Sequence, residues 1–276
     1  MPEDRCTMTL PLFLLLIAFA AVFMSIAMSV AWLVQRRTGN SGWVDAFWTF
    51  SVGIAGAVAA LSALPGQHDR LRAYLVAALV AAWSLRLGLH IVQRTIGMDD
   101  DPRYAKMREE WGDDAPRQMF LLLQIQALVS IPLVLSIAVA AWNMARPAGW
   151  QDVLAVAILG IAIAGEGIAD AQLRRFARNP ANRGKVCKAG LWRWSRHPNY
   201  FFEWLVWIAY PVFAINLDGS HPWGWIALTA PLFMYWLLTR VSGIPLLEEH
   251  MESKYGDPYR EYQRTTSSFF PLPPAA

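Results

Sequence analysis

Four groups of polar residues in an otherwise apolar chain have the types and spacing to do chemistry. The densest runs from Gly190 to Glu203, GLWRWSRHPNYFFE. Pro198 suits the first position of a helix. Asn199 and Glu203 then lie one turn apart on a face entering an apolar stretch, with Arg196 and His197 at the positive helix end, where an anion is favoured. Glu166, Asp170, Arg174 and Arg178 repeat at four-residue intervals and form one helix stripe. It carries carboxylates first and cations last, the order in which a dinucleotide presents hydroxyls and then phosphates. The same stripe can also close on itself as a salt-bridge ladder worth tenths of a kcal/mol per pair. Arg86, His90 and Arg94 share a face in the same way. His90 is suited to donate to a substrate oxygen, and Arg94 can instead snorkel to a surface. Asp45, in WVDAFW, has two readings. It is a buried carboxyl kept neutral among aromatic rings so that it can donate a hydrogen bond, or a helix-start carboxylate complementing the dipole. A polar helix from Leu247 to Tyr262, turned at Gly256, reads most simply as an interfacial element with aromatic anchors.

The surroundings of these groups are those of a membrane. Of 276 residues 55% are hydrophobic and 16% charged, against about 25% charged in soluble domains. This excludes a disordered or fibrous chain and an ordinary cytosolic enzyme. Two cysteines exclude a disulfide scaffold. A net charge of +3 is too small for a nucleic-acid binder. No GxGxxG, P-loop or HExxH motif is present, and the five histidines show no metal-ligand spacing, so no metal is expected.

Seven apolar stretches approach the roughly 20 residues that span a bilayer. They are 10–34, 43–64, 71–92, 119–142, 150–168, 201–217 and 222–238. Glu3, Asp4 and Arg5 precede the first, which is also too long for a signal peptide. Alternation of the loops puts nineteen of the 24 Lys and Arg on one side and four on the other, with Arg86 inside a helix. The sequence therefore predicts an all-α integral membrane protein of seven transmembrane helices, N-terminus outside and C-terminus cytoplasmic. Cys6 and Cys187 then lie on opposite sides and cannot bond. No linker separates domains, so residues 1–276 read as one membrane-embedded domain whose part from about 150 to 271 carries the cofactor site. The Pro-rich end, Pro271, Pro273 and Pro274, reads as a frayed terminus.

Ser195-Arg196-His197-Pro198-Asn199-Tyr200 with Glu203, preceded by Ala169-Asp170-Ala171-Gln172 and Gly190-Leu191-Trp192 and followed by Lys254-Tyr255-Gly256 and Tyr262, resembles the bacterial branch of the steroid 5α-reductase family. The sterol C14 and C7 reductases are similar in the same two segments. The resemblance covers about 165–271 well and the N-terminal half weakly. It implies NADPH-dependent reduction of an activated C=C bond in a 3-oxo-Δ4 steroid or similar enone lipid, in a bacterial inner membrane with the cofactor site facing the cytoplasm. It further implies that Trp192, Asn199, Tyr200, Lys254, Tyr255 and Tyr262 contact NADPH, that Glu203 holds its nicotinamide end, and that Glu166 and Asp170 make polar contacts to it. The cations at hand for its phosphates are Arg174, Arg178, Arg196 and His197, and Asp45 and His90 serve as the catalytic residues. The partners expected are the lipid substrate and membrane lipid, with no nucleic acid.

Three departures from the family pattern stand out. Leu173 and Ala177 occupy basic positions, with Arg174 and Arg178 one residue later. Phe202 replaces a usual Gly, and Asp45 is the one acid where related enzymes carry a Gln-Glu pair. The alternative is an S-adenosylmethionine-dependent methyltransferase of the isoprenylcysteine type, which is similar in Arg196-His197-Pro198-x-Tyr200 and in a Glu248-Glu249 pair. Asn199 and Glu203 favour the reductase.

Overall fold

Helix is dictated almost everywhere, because a chain surrounded by hydrocarbon must satisfy its backbone N–H and C=O groups within itself. The computed structural model describes residues 8–62, 70–241 and 243–275. The acidic start of the chain, Arg5 and Cys6 lie outside the described residues, and Cys187 is a free, buried thiol. The helices are α1 (Leu10–Thr38), α2 (Gly42–Leu61), α3 (Leu71–Ile96), α4 (Pro102–Trp111), α5 (Ala115–Val129), α6 (Ile131–Ala141), α7 (Trp150–Arg178), α8 (Pro198–Ala214), α9 (Thr229–Trp236), α10 (Ile244–Tyr255) and α11 (Asp257–Thr265). Among the described residues no strand occurs, and six helical stretches are long and apolar enough to cross a membrane. These are Leu10–Thr38, Gly42–Leu61, Leu71–Ile96, Pro102–Ala141, Trp150–Arg178 and Pro222–Tyr255. The chain is an integral membrane protein. The 17-residue α8, with Pro211 inside it, is apolar but falls short of that length at about 26 Å.

The chain forms two compact units, Met1–Ala155 with Tyr210–Ala230, and Val156–Ala209 with Pro231–Ala276. All three crossings between units fall inside helices, α7, α8 and α9, so the sequence has no linker to reveal them.

In the first unit α2 is the central helix, packed by α3, α1 and α6. Small residues allow the close approach, as is usual where helices meet in lipid. A Cβ on Gly53 would come within 2.2 Å of Ser84 Oγ, and that hydroxyl donates to the Thr49 carbonyl at 3.1 Å. The stretch read as one span at 119–142 breaks at Ser130. Pro132 supplies no N–H to the ladder there, and Ser130 Oγ accepts from Trp48 Nε1 at 2.8 Å. Arg72 and Arg146, loop cations in the charge count, both pair with Asp152. Arg72, 5% exposed, also donates to the carbonyls of Asn143, Arg146 and Pro147, so its buried charge is paired and satisfied.

In the second unit, the part of α7 from Val156 faces the start of α8. A ring cluster of Phe201, Trp204, Tyr235, Phe269 and Phe270 joins α8 to α9 and the C-terminal segment. Phe269 is 3% exposed, with centroids 5.4 to 6.0 Å from those of Tyr235, Trp204 and Phe201. Leu272 N donates to Trp194 O at 3.0 Å and Ala275 N to Thr265 O at 2.9 Å. The end expected to be frayed is therefore pinned, by aromatic burial that the proline count conceals.

Candidate functional site

The polar groups singled out on α7 and α8 meet within the second unit. Gly165 receives the ring of Phe202, which a Cβ there would meet at 2.4 Å, and Asn199 Nδ2 reaches toward Asp170 Oδ1 at 3.5 Å. These two contacts fix an antiparallel register that sets Glu166 and Asp170 of α7 opposite Asn199 and Glu203 of α8. All three carboxylates are buried, Glu166 at 4%, Asp170 at 5% and Glu203 at 6% exposure. Trp207, one turn beyond Glu203, donates its Nε1 to Glu203 Oε1 at 3.0 Å. Phe202, a departure from the family pattern, thus has its counterpart in Gly165. That pairing has no sequence signal short of the contact itself.

The turn before α8 is built to present this face. Gly190 has φ 61°, the left-handed region that favours glycine, and Gln172 Oε1 accepts from Leu191 N at 2.8 Å. Trp192 is buried and donates Nε1 to Ala169 O at 2.9 Å.

Other residues expected at the cofactor are engaged by the chain itself. Arg196 grips Glu248 through Nε at 2.6 Å and a second nitrogen at 3.0 Å, and donates to the carbonyls of Gln263 and Thr266. Its backbone N–H meets Ser267 O at 2.8 Å. His197, 2% exposed, sets Nε2 3.0 Å from Glu248 Oε1. Burial pushes its imidazole below the ordinary histidine value against the pull of Glu248. Tyr262, also 2% exposed, donates to Trp192 O and reaches Ser195 O at 3.3 Å. Its phenol is pushed up by burial. Arg196, His197 and Tyr262 therefore form a clasp between the 192–197 turn and the tail. The tail's aromatics, Tyr259 and Tyr262, are buried against the chain rather than set out as interface anchors. Arg174, Arg178 and Lys254 are exposed, and Tyr200 and Tyr255 are half-buried.

The expected catalytic pair lies in the first unit. Asp45 is held by charged and polar partners. Arg103 binds one oxygen, Tyr104 donates to the other at 3.0 Å, and Arg94 stands 3.8 Å away. Arg94 and Arg103 also pair with Asp101 at 3.2 and 2.9 Å. Burial opposes the charge on Asp101, but the two guanidinium groups outweigh it and hold its carboxyl below the usual range. The sequence concealed this network because Arg103 and Tyr104 lie 58 and 59 residues from Asp45. His90 and Arg86 are half-buried on α3, as the helix spacing requires.

Among known proteins, a family model described as "Protein of unknown function (DUF1295)" matches residues 31–266. A Schizosaccharomyces pombe protein, "Uncharacterized protein C594.04c", is 26% identical over 274 residues, covering 88% of this chain and 76% of that one. No solved structure matches. The family match takes in α2 to α11 and every site residue named above, so the chain belongs to the DUF1295 family, which includes steroid 5α-reductase-like membrane proteins.

Proposed function

We propose that this protein is an NADPH-dependent membrane reductase of the activated C=C bond of a 3-oxo-Δ4 steroid or similar enone lipid. The observation that carries the reading is the convergence of Glu166, Asp170, Asn199 and Glu203 where α7 meets α8. Carboxylates cost about 2.5 to 3.5 kcal/mol each at the centre of a membrane helix, so three buried together make this face a functional-site candidate by default. The donor set fits a dinucleotide, with acceptors at depth for hydroxyl and carboxamide groups and exposed Arg174, Arg178, Arg183, Lys185 and Lys188 for phosphates. Trp192, Tyr200, Lys254 and Tyr255 line the same turn and tail. Arg196, His197 and Tyr262 support the site by holding the turn in place.

NADPH, when bound, supplies the hydride. Glu203, oriented by Trp207, would hold the carboxamide end of the nicotinamide and so help to position it for hydride transfer. A proton completes the reduction at the α carbon, and a donor stabilises the negative charge that develops on the substrate oxygen. That donor is assigned to His90, because both oxygens of Asp45 already receive donors. The membrane arrangement proposed has α8 as a seventh span, the N-terminus outside, and the cofactor face in the cytoplasm of a bacterial inner membrane. The nineteen-to-four bias of Lys and Arg supports it.

The test is enone-dependent loss of NADPH absorbance by purified protein, repeated with Glu203→Gln. The variant keeps the shape and is expected to bind NADPH at least tenfold more weakly with little change in thermal stability. Normal binding would remove Glu203 from the site. A second reading, methyl transfer from S-adenosylmethionine, draws on one contact, the meeting of Arg196 and His197 with Glu248. Transfer of labelled methyl groups without NADPH oxidation would establish it instead.

A further inference from the structure

A cavity of about 440 Å³ lies in the first unit, away from every residue assigned above. Its walls come from the end of α1 (Gln35, Arg36, Gly39), from Arg108 of α4, and from the entry to α5 (Gly112, Asp113, Ala115, Pro116). Gln35, 4% exposed as a whole residue, contributes to this lining. Arg108, which lines the cavity, uses one terminal nitrogen on Asp100, while its buried Nε has no hydrogen-bond partner among the described residues. Arg36 forms no ion pair among the described residues and is held over the Trp32 ring, 4.9 Å from the centroid.

We propose that this cavity binds a phosphodiester, the headgroup of a membrane phospholipid. Two guanidinium groups and an amide are the donors that match phosphate oxygens. The charge argues for a diester. Asp100 already offsets Arg108, and the exposed carboxylate of Asp113 stands at the rim, so a single negative charge is matched better than the double charge of a monoester. The source is argued from α1. Ile26, Val30 and Leu33, on the same helix as Arg36 and leading up to it, are 60%, 41% and 45% exposed. That apolar surface leads from the hydrocarbon to Arg36, so the acyl chains of a lipid anchored there would run along it while the headgroup enters the cavity.

The experiment uses the full chain in detergent, stripped of lipid and then titrated with phosphatidylglycerol, with an uncharged galactosyl diacylglycerol, and with soluble glycerophosphoglycerol and inorganic phosphate. Bound lipid is read by native mass spectrometry and stabilisation by thermal unfolding. Phosphatidylglycerol is expected to bind and stabilise, and the galactolipid to do neither. Arg36→Gln combined with Arg108→Lys, which keeps a cation beside Asp100, should weaken phosphatidylglycerol binding about tenfold or more, the weight of one charge-assisted hydrogen bond. Gln35→Leu, which removes the amide donor, should weaken it as well. Equal retention of phosphatidylglycerol by the variants, or equal retention of the galactolipid, would overturn the site. Stabilisation by glycerophosphoglycerol or inorganic phosphate equal to that by phosphatidylglycerol would overturn the lipid as its occupant. NADPH binding, measured in parallel, should not change in any of these variants.

Discussion

Replacing Glu248 with Gln tests whether the C-terminal segment is held by a buried ion pair. The carboxylate takes two bonds from Arg196, at 2.6 and 3.0 Å, and one from His197 at 3.0 Å, with Gln263 at 3.3 Å. Side-chain exposure is 17% for Glu248, 10% for Arg196 and 3% for His197, so water screens these contacts weakly. Breaking one partner of such a pair typically costs about 3 to 5 kcal/mol, because the other charge is left buried without compensation. The lower end, about 3 kcal/mol, applies here, since Gln keeps one acceptor and Arg196 keeps the carbonyls of Gln263 and Thr266. Thermal unfolding in detergent and proteolysis of the tail both read this loss. The pH dependence has a definite sign. His197 is held below its ordinary value of 6.5, so the neutral ring favours the fold. That contribution is fully present above about pH 6.5 and is lost as pH falls toward the folded-state value. Glu248 opposes this depression, and its replacement should therefore steepen the loss of stability below pH 6.5. An E248Q protein as stable as the parent at pH 7.5, with the same acid profile, would refute the clasp.

Other perturbations address other links. Gly165→Ala places a methyl group against the Phe202 ring and should cost about 1 to 3 kcal/mol, with substantial recovery in Gly165→Ala/Phe202→Leu. Failure of that rescue would mean that α7 and α8 do not meet there. Asp45→Asn weakens the bonds from Arg103 and Tyr104 and should destabilise by about 1 to 3 kcal/mol while single-turnover NADPH oxidation continues, whereas a hundredfold loss of turnover at unchanged stability would restore Asp45 as the acid. Arg174→Gln/Arg178→Gln should narrow the preference for NADPH over NADH in direct binding to the purified protein, and an unchanged ratio would move the 2′-phosphate to Arg183, Lys185 or Lys188.

Burial at membrane depth and helical spacing made much of this protein legible from the sequence. Apolar runs bounded by charge, Gly or Pro gave the spanning helices to within about a turn at most ends. A four-residue interval sufficed to put Glu166 with Asp170, and Asn199 with Glu203, on single faces, because α-helix geometry is the same wherever a helix forms. The turn at Gly256 was likewise visible, since few other residues hold φ near 60° without strain. Tertiary structure decided which polar groups those faces meet. Arg196, His197 and Tyr262 have the composition of an anion site, yet they are spent on Glu248 and on backbone carbonyls, and the Pro-rich end is fastened by Phe269. Asp45 reads as an isolated acid until Arg103 and Tyr104 arrive from a helix some 58 residues away. Hydrogen bonds and ion pairs are short-ranged in space but carry no periodicity along the chain, so their partners are set only when the helices pack.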